Sequence, residues 1–460
     1  MKDIQHYMRP GLLQLPSLPP LSLYIHLPWC IKKCPYCDFN SHEARADSPD
    51  AQSGKLSDAT EQRYINALMA DLEAALPLVW GRTVHSIFIG GGTPSLFSPS
   101  AIDRLLAEVR ARLRLEADCE ITLEANPGTF EKDRFKAFRA AGVNRLSIGV
   151  QSFNDAHLKA LGRVHSSAQA KEAIAEAAIN FEAFNLDIMY ALPGQSVAQC
   201  AQDIQTALSF KPPHISIYHL TIEPNTYFAK FPPQVPEDDT AYDMLDRIIA
   251  LTAAQGMPRY EVSAFAKKGF QCWHNTNYWQ FGDYLGIGAG AHSKLSFAHR
   301  VVRQVRARDP QLYMDKALGV ASLPSVPAGD ISPATDAGAA PAAPHGIAAL
   351  SPSGAVALKG TRPSAASADP AHTSGAIVQD AEVPRADLPF EYMLNALRLT
   401  AGFKLQDFSD RTGLPITAIQ KGLAEAESKG LIERDFVSVK PTTRGMDFLS
   451  DLQSLFLADT

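Results

Sequence analysis

The sequence predicts an α/β fold built on a parallel sheet, followed by a small α+β domain. Three observations carry this reading. Six short apolar runs alternate with longer helical patterns between residues 21 and 254. The loops after these runs are polar and rich in Gly and Pro. A long stretch of biased composition then separates this region from a second foldable one. Strands and helices alternating in series imply parallel strands with helices packed on the sheet. Such a sheet closes into a barrel or stays open, and in both cases chemistry gathers on the loops after the strands.

The runs are LSLYIH (21–26), VHSIFI (84–89), CEITLE (119–124), NRLSIG (144–149), FNLDIM (184–189) and HISIYH (214–219). Helical periodicity fills 63–76, 101–113 and 168–180 between them. Five following loops share one rim: Pro28-Trp29-Cys30, Gly90-Gly91-Gly92-Thr93-Pro94, Glu124-Ala125-Asn126-Pro127, Gln151-Ser152-Phe153 and Ala191-Leu192-Pro193-Gly194-Gln195. Residues 1–20 read as an arm, 21–254 as the barrel region and 255–318 as an aromatic-rich extension. Over 319–386 about two-thirds of residues are Ala, Pro, Gly or Ser, and none is aromatic. That composition cannot bury enough apolar surface to offset ordering entropy, so a disordered linker is expected. A smaller patch of this kind covers 44–60. In the last unit, 387–460, helical patterns at 389–399, 405–412 and 415–429 lead into a short strand pattern and a final helix, resembling a winged helix.

Bulk composition narrows the function. The chain has 460 residues, 46% hydrophobic and 20% charged, which is ordinary for a soluble globular protein. Its net charge of −6, and a net of −2 over 388–460, argue against a nucleic-acid footprint. No apolar run approaches the ~18–20 residues of a membrane helix. Met1 to Pro20 lacks the pattern of a signal peptide. A cytoplasmic protein is expected, with room for transient membrane association. Of six cysteines, three fall within eight residues; Cys119 and Cys200 read as small core side chains.

The clustered three, Cys30, Cys34 and Cys37, have C-x3-C-x2-C spacing directly after a predicted strand. Three thiolates on one loop can hold three irons of a [4Fe–4S] cube and leave the fourth iron open to a ligand. The competing reading is a structural zinc with His26, Asp38 or His42 as fourth ligand, although a second C-x2-C pair is absent.

This spacing, with Tyr36 before the last cysteine, resembles the radical S-adenosylmethionine (SAM) superfamily. Tyr24-Ile-His26-Leu-Pro28, the G-G-G-T-P turn and Gln151-Ser152-Phe153 resemble the group containing oxygen-independent coproporphyrinogen III dehydrogenase, and more closely its HemW-type haem-chaperone relatives. The resemblance implies a partial (β/α)6 barrel and a cluster that passes an electron to bound SAM, yielding a 5′-deoxyadenosyl radical. It also implies that Tyr24, Tyr36, Gly91, Gly92, Thr93, Glu124, Gln151, Arg163 and Asp187 surround SAM. Arg163 suits a carboxylate, and the glycines allow close backbone approach.

A second string, His274-Asn275-Thr276-Asn277-Tyr278-Trp279, is the H-N-x-x-Y-W motif of the haem-chaperone group. The resemblance marks it as haem-associated, with His274 as the candidate iron ligand and Cys272 as the alternative; a packed structural histidine is the bland reading. Gly286-Ile287-Gly288-Ala289-Gly290 reads as a tight turn, since a βαβ context for a dinucleotide fingerprint is missing. The expected function is haem binding and transfer to acceptor apoproteins such as respiratory enzymes. Coproporphyrinogen dehydrogenation is the alternative. Against it, Phe39 stands where those dehydrogenases carry a further cysteine, and the arm before Tyr24 is short. Whether SAM is cleaved stays open.

Overall fold

The structure is a computed structural model that describes residues 4–44, 56–129, 133–319 and 375–457. All six apolar runs are strands: β1 (Leu21–Leu27), β2 (Thr83–Gly91), β3 (Arg114–Ala125), β4 (Arg145–Gln151), β5 (Ala183–Tyr190) and β6 (His214–His219). They pair in that order and in parallel. Parallel neighbours need crossover connections, and helices such as Asp58–Val79, Pro99–Arg112, Ser167–Asn180 and Val197–Ser209 supply them. A serine starts each of these four. Ser57, Ser98, Ser166 and Ser196 accept a bond from the amide three residues on, and the last two complete capping boxes with Gln169 and Gln199.

Strand alternation sorts the side chains. Leu21, Leu23, Ile25 and Leu27 of β1 join the apolar core beneath the helices, as do Leu146 and Ile148 of β4 and Leu186 and Ile188 of β5. The intervening residues face the other way. They are largely polar: Ser22 and His26, Thr122 and Glu124, Arg145 and Ser147, Asn185 and Asp187, His214 and Ser216. The inner face of the curved sheet is therefore mostly hydrophilic, interrupted by the apolar cluster of Tyr24, Phe88 and Ala291.

The sheet extends beyond the six predicted strands. Among the described residues it has twelve. After β7 (Arg259–Glu261) and β8 (Ala264–Ala266), β9 (Asp283–Ile287) pairs in parallel with β1 on its free side. Of the 286–290 glycine stretch, expected to be a tight turn throughout, Gly286 and Ile287 belong to this strand and only the remainder turns after it. A Cβ on Gly286 would run into the carbonyl of His292, so glycine permits the close approach of β10 (His292–Phe297). β11 (Arg300–Arg306) continues antiparallel, and β12 (Ile377–Glu382) forms the edge beside it. Of the expected linker, 320–374 lies outside the described residues, but β12 falls inside its proposed bounds. The short Ile-Val-Gln-Asp-Ala-Glu segment of β12 lacks clear alternation and is hidden in a window dominated by Ala and Pro. Of the 44–60 patch, 45–55 lies outside the described residues and its end begins the Asp58–Val79 helix.

The C-terminal unit follows the winged-helix pattern. Helices Leu388–Ala396, Leu405–Thr412 and Gln420–Ser428 accompany a sheet of three short strands, Phe403–Lys404, Ile432–Arg434 and Ser438–Pro441. Its core includes Leu13 and Leu15 from the N-terminal arm and Phe281 and Val301 from the extension. Arg398 pairs with Glu261 at 3.4 Å and lies 4.2 Å above the Trp279 ring, while Arg303 pairs with Glu391 at 2.6 Å. These contacts seat the unit against the barrel's extension. Among the described residues no helix is long and apolar enough to cross a membrane.

Candidate functional site

The cysteine loop is held at both ends by backbone bonds. Trp29–Cys30 and His42–Glu43 form a two-stranded ladder, with the His42 amide donating to Pro28 O at 2.7 Å and that of Ala44 to Cys30 O at 2.9 Å. On the other side the amides of Gly92 and Thr93 donate to Leu27 O and Trp29 O at 2.8 and 2.7 Å. The Phe228 amide reaches Pro35 O at 3.0 Å, so the segment after β6 clasps the loop's middle.

Cys30, Cys34 and Cys37 all line one open-mouthed cavity of about 1160 Å³ at the carboxyl ends of the parallel strands. Tyr36, Gly91, Gly92, Thr93, Glu124, Gln151, Arg163 and Asp187 line it too. Strand register explains the grouping: Glu124 lies opposite Ser147, and Gly149 opposite Asp187, on adjacent ladders. Gln151 turns into the cavity through a left-handed backbone, φ 68°, a conformation that non-glycine residues adopt at a cost. Glu124 accepts the Gly91 amide at 3.0 Å. Ser147, Met189, Tyr218, His219, Thr221 and Glu223 are further lining residues that the sequence reading missed. Their signal was the polar alternation in β4 and β6 and a sixth loop after β6.

The donor set fits a cluster with an open iron. The cavity holds three thiols, and the other cysteines, Cys119, Cys200 and Cys272, are buried elsewhere. A cube binds each thiolate through a different iron, so its ligands ring the group rather than converge. Among the described residues no three His, Cys, Asp or Glu side chains converge as a single-ion site. His26, a candidate zinc ligand, has both ring nitrogens engaged, Nδ1 with the Tyr24 hydroxyl at 2.9 Å and Nε2 with Asn40 O at 2.9 Å. Arg163 extends Nη1 to within 3.6 Å of Cys34 Sγ and gives Nη2 to Gly149 O at 2.8 Å. Its buried Nε has no hydrogen-bond partner among the described residues, which leaves a cationic donor free for an anionic ligand.

Burial shapes the acids here. It raises Glu124 to about 8, with the charge of Asp187 adding to the effect, and raises Asp187 itself to about 6. Folded Glu124 therefore keeps its proton through a pH range in which the unfolded chain has lost it. Unfolding there releases a proton, so stability falls as pH rises. In cofactor-free protein, Glu124→Gln is expected to be more stable than the unmodified chain by on the order of 2 kcal/mol near pH 7.5, the difference vanishing near pH 4. Urea titrations at the two pH values check this.

Two expected site residues are not among those lining the cavity. Tyr24 does not line the cavity. It is buried against Phe88 and Ala291, and its hydroxyl holds His26, which in turn packs under Gly91. Tyr24→Phe is expected to cost about 1 kcal/mol of stability and to leave SAM affinity unchanged by equilibrium dialysis. His274 is fully buried, with Nδ1 bonded to Ser86 Oγ at 3.0 Å and Nε2 to the Tyr278 hydroxyl at 3.1 Å. Burial lowers its pKa to about 3. In this conformation it is a packed neutral imidazole, and no nitrogen is presented to a haem iron. Cys272 is likewise buried, its thiol donating to Glu120 at 3.5 Å. The reason is tertiary: the motif folds as a helix, Trp273–Trp279, that plugs the barrel end opposite the cavity. Asn277 there bonds Ser22 Oγ and Asp283 O, both at 2.9 Å.

A parallel barrel whose first loop brings three thiols to a cavity with a glycine turn is the architecture of radical SAM proteins. A model of the radical SAM superfamily matches residues 24–207, and a model of the HemN C-terminal domain matches 383–448. A heme chaperone HemW from Haemophilus influenzae is 41% identical over 97% of this chain and the whole of that protein. One from Escherichia coli is 40% identical over 96% of this chain, again covering the whole of that protein. The chain belongs to the radical SAM superfamily, within the HemW family. The solved structure of coproporphyrinogen III oxidase (HemN) from Escherichia coli, a radical SAM enzyme, shares the fold with a TM-score of 0.70 at 20% identity, over 95% of this chain and 90% of that one.

Proposed function

We propose that the protein binds haem and passes it to acceptor apoproteins, and that it carries a [4Fe–4S] cluster with SAM in the barrel cavity. The observation that carries the cofactor assignment is the meeting of all three clustered thiols with the glycine turn, Glu124, Arg163 and Asp187 around one cavity. Cys30, Cys34 and Cys37 would hold the cluster, whose chemistry when loaded is one-electron reduction of a sulfonium. Arg163 offers charge and a free N–H to a carboxylate. Glu124 and Asp187 offer acceptors. The missing Cβ atoms of Gly91 and Gly92 leave room for the His26 ring and for the Trp29 carbonyl behind the turn, which lets the turn's backbone line the cavity.

The haem assignment rests on the family, whose full-length relatives are named heme chaperones. Phe39 supports it over coproporphyrinogen turnover: it lines the cavity where the dehydrogenases resembled here carry a further cysteine. The test is a spectrophotometric titration of anaerobically reconstituted protein with haem, followed by addition of an apo-acceptor. Saturable, stoichiometric binding and movement of haem to the acceptor are expected. Absence of specific binding, with decarboxylation of coproporphyrinogen III by the same preparation, would overturn the reading.

A further inference from the structure

A continuous run of hydrogen bonds leaves the cavity and ends on the helix of the second motif. Asp187, on the cavity wall, accepts from Asn185 Nδ2 at 2.8 Å. Asn185 Oδ1 is 2.6 Å from His214 Nδ1, and His214 Nε2 is 2.8 Å from the Tyr260 hydroxyl. The oxygen of Tyr260 accepts the backbone amide of Cys272 at 3.2 Å. Cys272 is the N-cap of the Trp273–Trp279 helix.

The chemistry of the partners fixes the direction of every bond. A backbone amide only donates and a carboxylate only accepts. Asn185 also donates to Ser147 Oγ at 2.8 Å and accepts from Ser216 Oγ at 3.1 Å, so its amide has one consistent orientation. His214 then carries its proton on Nδ1 and accepts at Nε2. Burial holds its pKa well below the usual imidazole value, in keeping with that neutral form. All dipoles in the run point the same way, toward Asp187, and bonds aligned like this polarise one another in a buried setting. Glu120 grips the same helix end from the other side, accepting the Trp273 and His274 amides at 3.2 and 3.1 Å. The helix start is therefore held by two acceptors; the hydrogen-bond run to Asp187 leaves from Tyr260, and the buried Arg145 guanidinium lies within electrostatic reach of Glu120, Cys272 and Asp187.

We infer that Asn185, His214 and Tyr260 are positioning residues that tie the cavity carboxylate to the start of the motif helix, so that a ligand engaging Asp187 changes how firmly that helix is held. The inference rests on SAM as the cavity's ligand. A ligand that donates to Asp187 competes with Asn185 for the carboxylate, and the altered polarisation passes along the run to the Cys272 amide.

Hydrogen exchange read by mass spectrometry on anaerobically reconstituted protein tests this. SAM is expected to change the exchange rate of the peptide spanning 270–279 severalfold in the unmodified chain. In Tyr260→Phe, which removes the acceptor of the Cys272 amide without touching the cavity, that response is lost while SAM affinity by equilibrium dialysis is retained. His214→Gln, whose carboxamide can both donate and accept, retains part of the response, which a general loss of packing would not. SAM binding with no change in this peptide, or with an equal change in Tyr260→Phe, overturns the link alone. Failure of the unmodified protein to bind SAM overturns the cavity reading and the inference with it.

Discussion

Iron retention is expected to fall to background when Cys34 is replaced by alanine. A cluster on three protein thiolates has no spare ligand, and two thiolates leave a second iron exposed to solvent and oxygen. The cavity offers no further thiol in its place. Cys119, Cys200 and Cys272 are buried away from it, and the nearest cationic group, Arg163, is a donor to sulfur and not a ligand to iron. Burial also pushes the Cys30 thiol up to about 11, so this thiolate needs a cationic partner such as iron to form. Cys200→Ala is the control, expected to keep its iron and to lose only packing. Iron and sulfide content after anaerobic reconstitution measures both. A full iron complement in Cys34→Ala would sink the cluster assignment.

Gly92→Val is expected to have the second largest effect, because it attacks the same loop from beneath without removing a ligand. A Cβ at this position would lie 2.5 Å from Trp29 O and 2.8 Å from the carbonyl carbon of Pro28. Both are backbone atoms leading directly into Cys30, so no side chain can swing aside. The loop has to move, and the bond from the Gly92 amide to Leu27 O, 2.8 Å long, is strained with it. Overpacking of this kind costs about 3 kcal/mol. Reconstituted Gly92→Val is expected to bind iron incompletely and SAM hardly at all, by iron assay and equilibrium dialysis, with a lowered unfolding midpoint. Full SAM affinity would mean that the glycine turn does not approach the ligand.

Much of this site was legible in order of sequence. The thiol spacing, the glycine turn after β2 and the acids ending β3 and within β5 are local patterns, each within a few residues of a strand end, and the rule that chemistry follows the strands brought them to one rim. The residues that escaped had a weaker signal. Ser147, Tyr218 and the strand residues of the hydrogen-bond run are the polar members of runs read only for their apolar ones. β9 escaped because it is short and contains Gly286, and β12 because its neighbours in sequence are compositionally degenerate.

The residues outside the cavity lining are instructive in another way. Tyr24 and His274 sit in motifs shared with known proteins, yet a motif says only that a residue type is required at a position. His274 meets Ser86 across 188 positions and Arg163 meets Cys34 across 129. Whether a side chain at such a position faces a ligand or a neighbouring strand depends on how the barrel closes and which end its plug occupies.

Sequence alone determined the six parallel strands, the winged-helix-like tail and the three-thiol loop. These follow from periodicity and spacing along a few residues, where backbone geometry leaves few choices. Tertiary structure alone decided that the Tyr24 hydroxyl holds His26, that His274 is sealed inside, and that Asp187 is linked to Cys272 through Asn185, His214 and Tyr260. Those outcomes turn on which groups from distant segments satisfy one another's hydrogen bonds once water is excluded, and that pairing is set only when the barrel is closed.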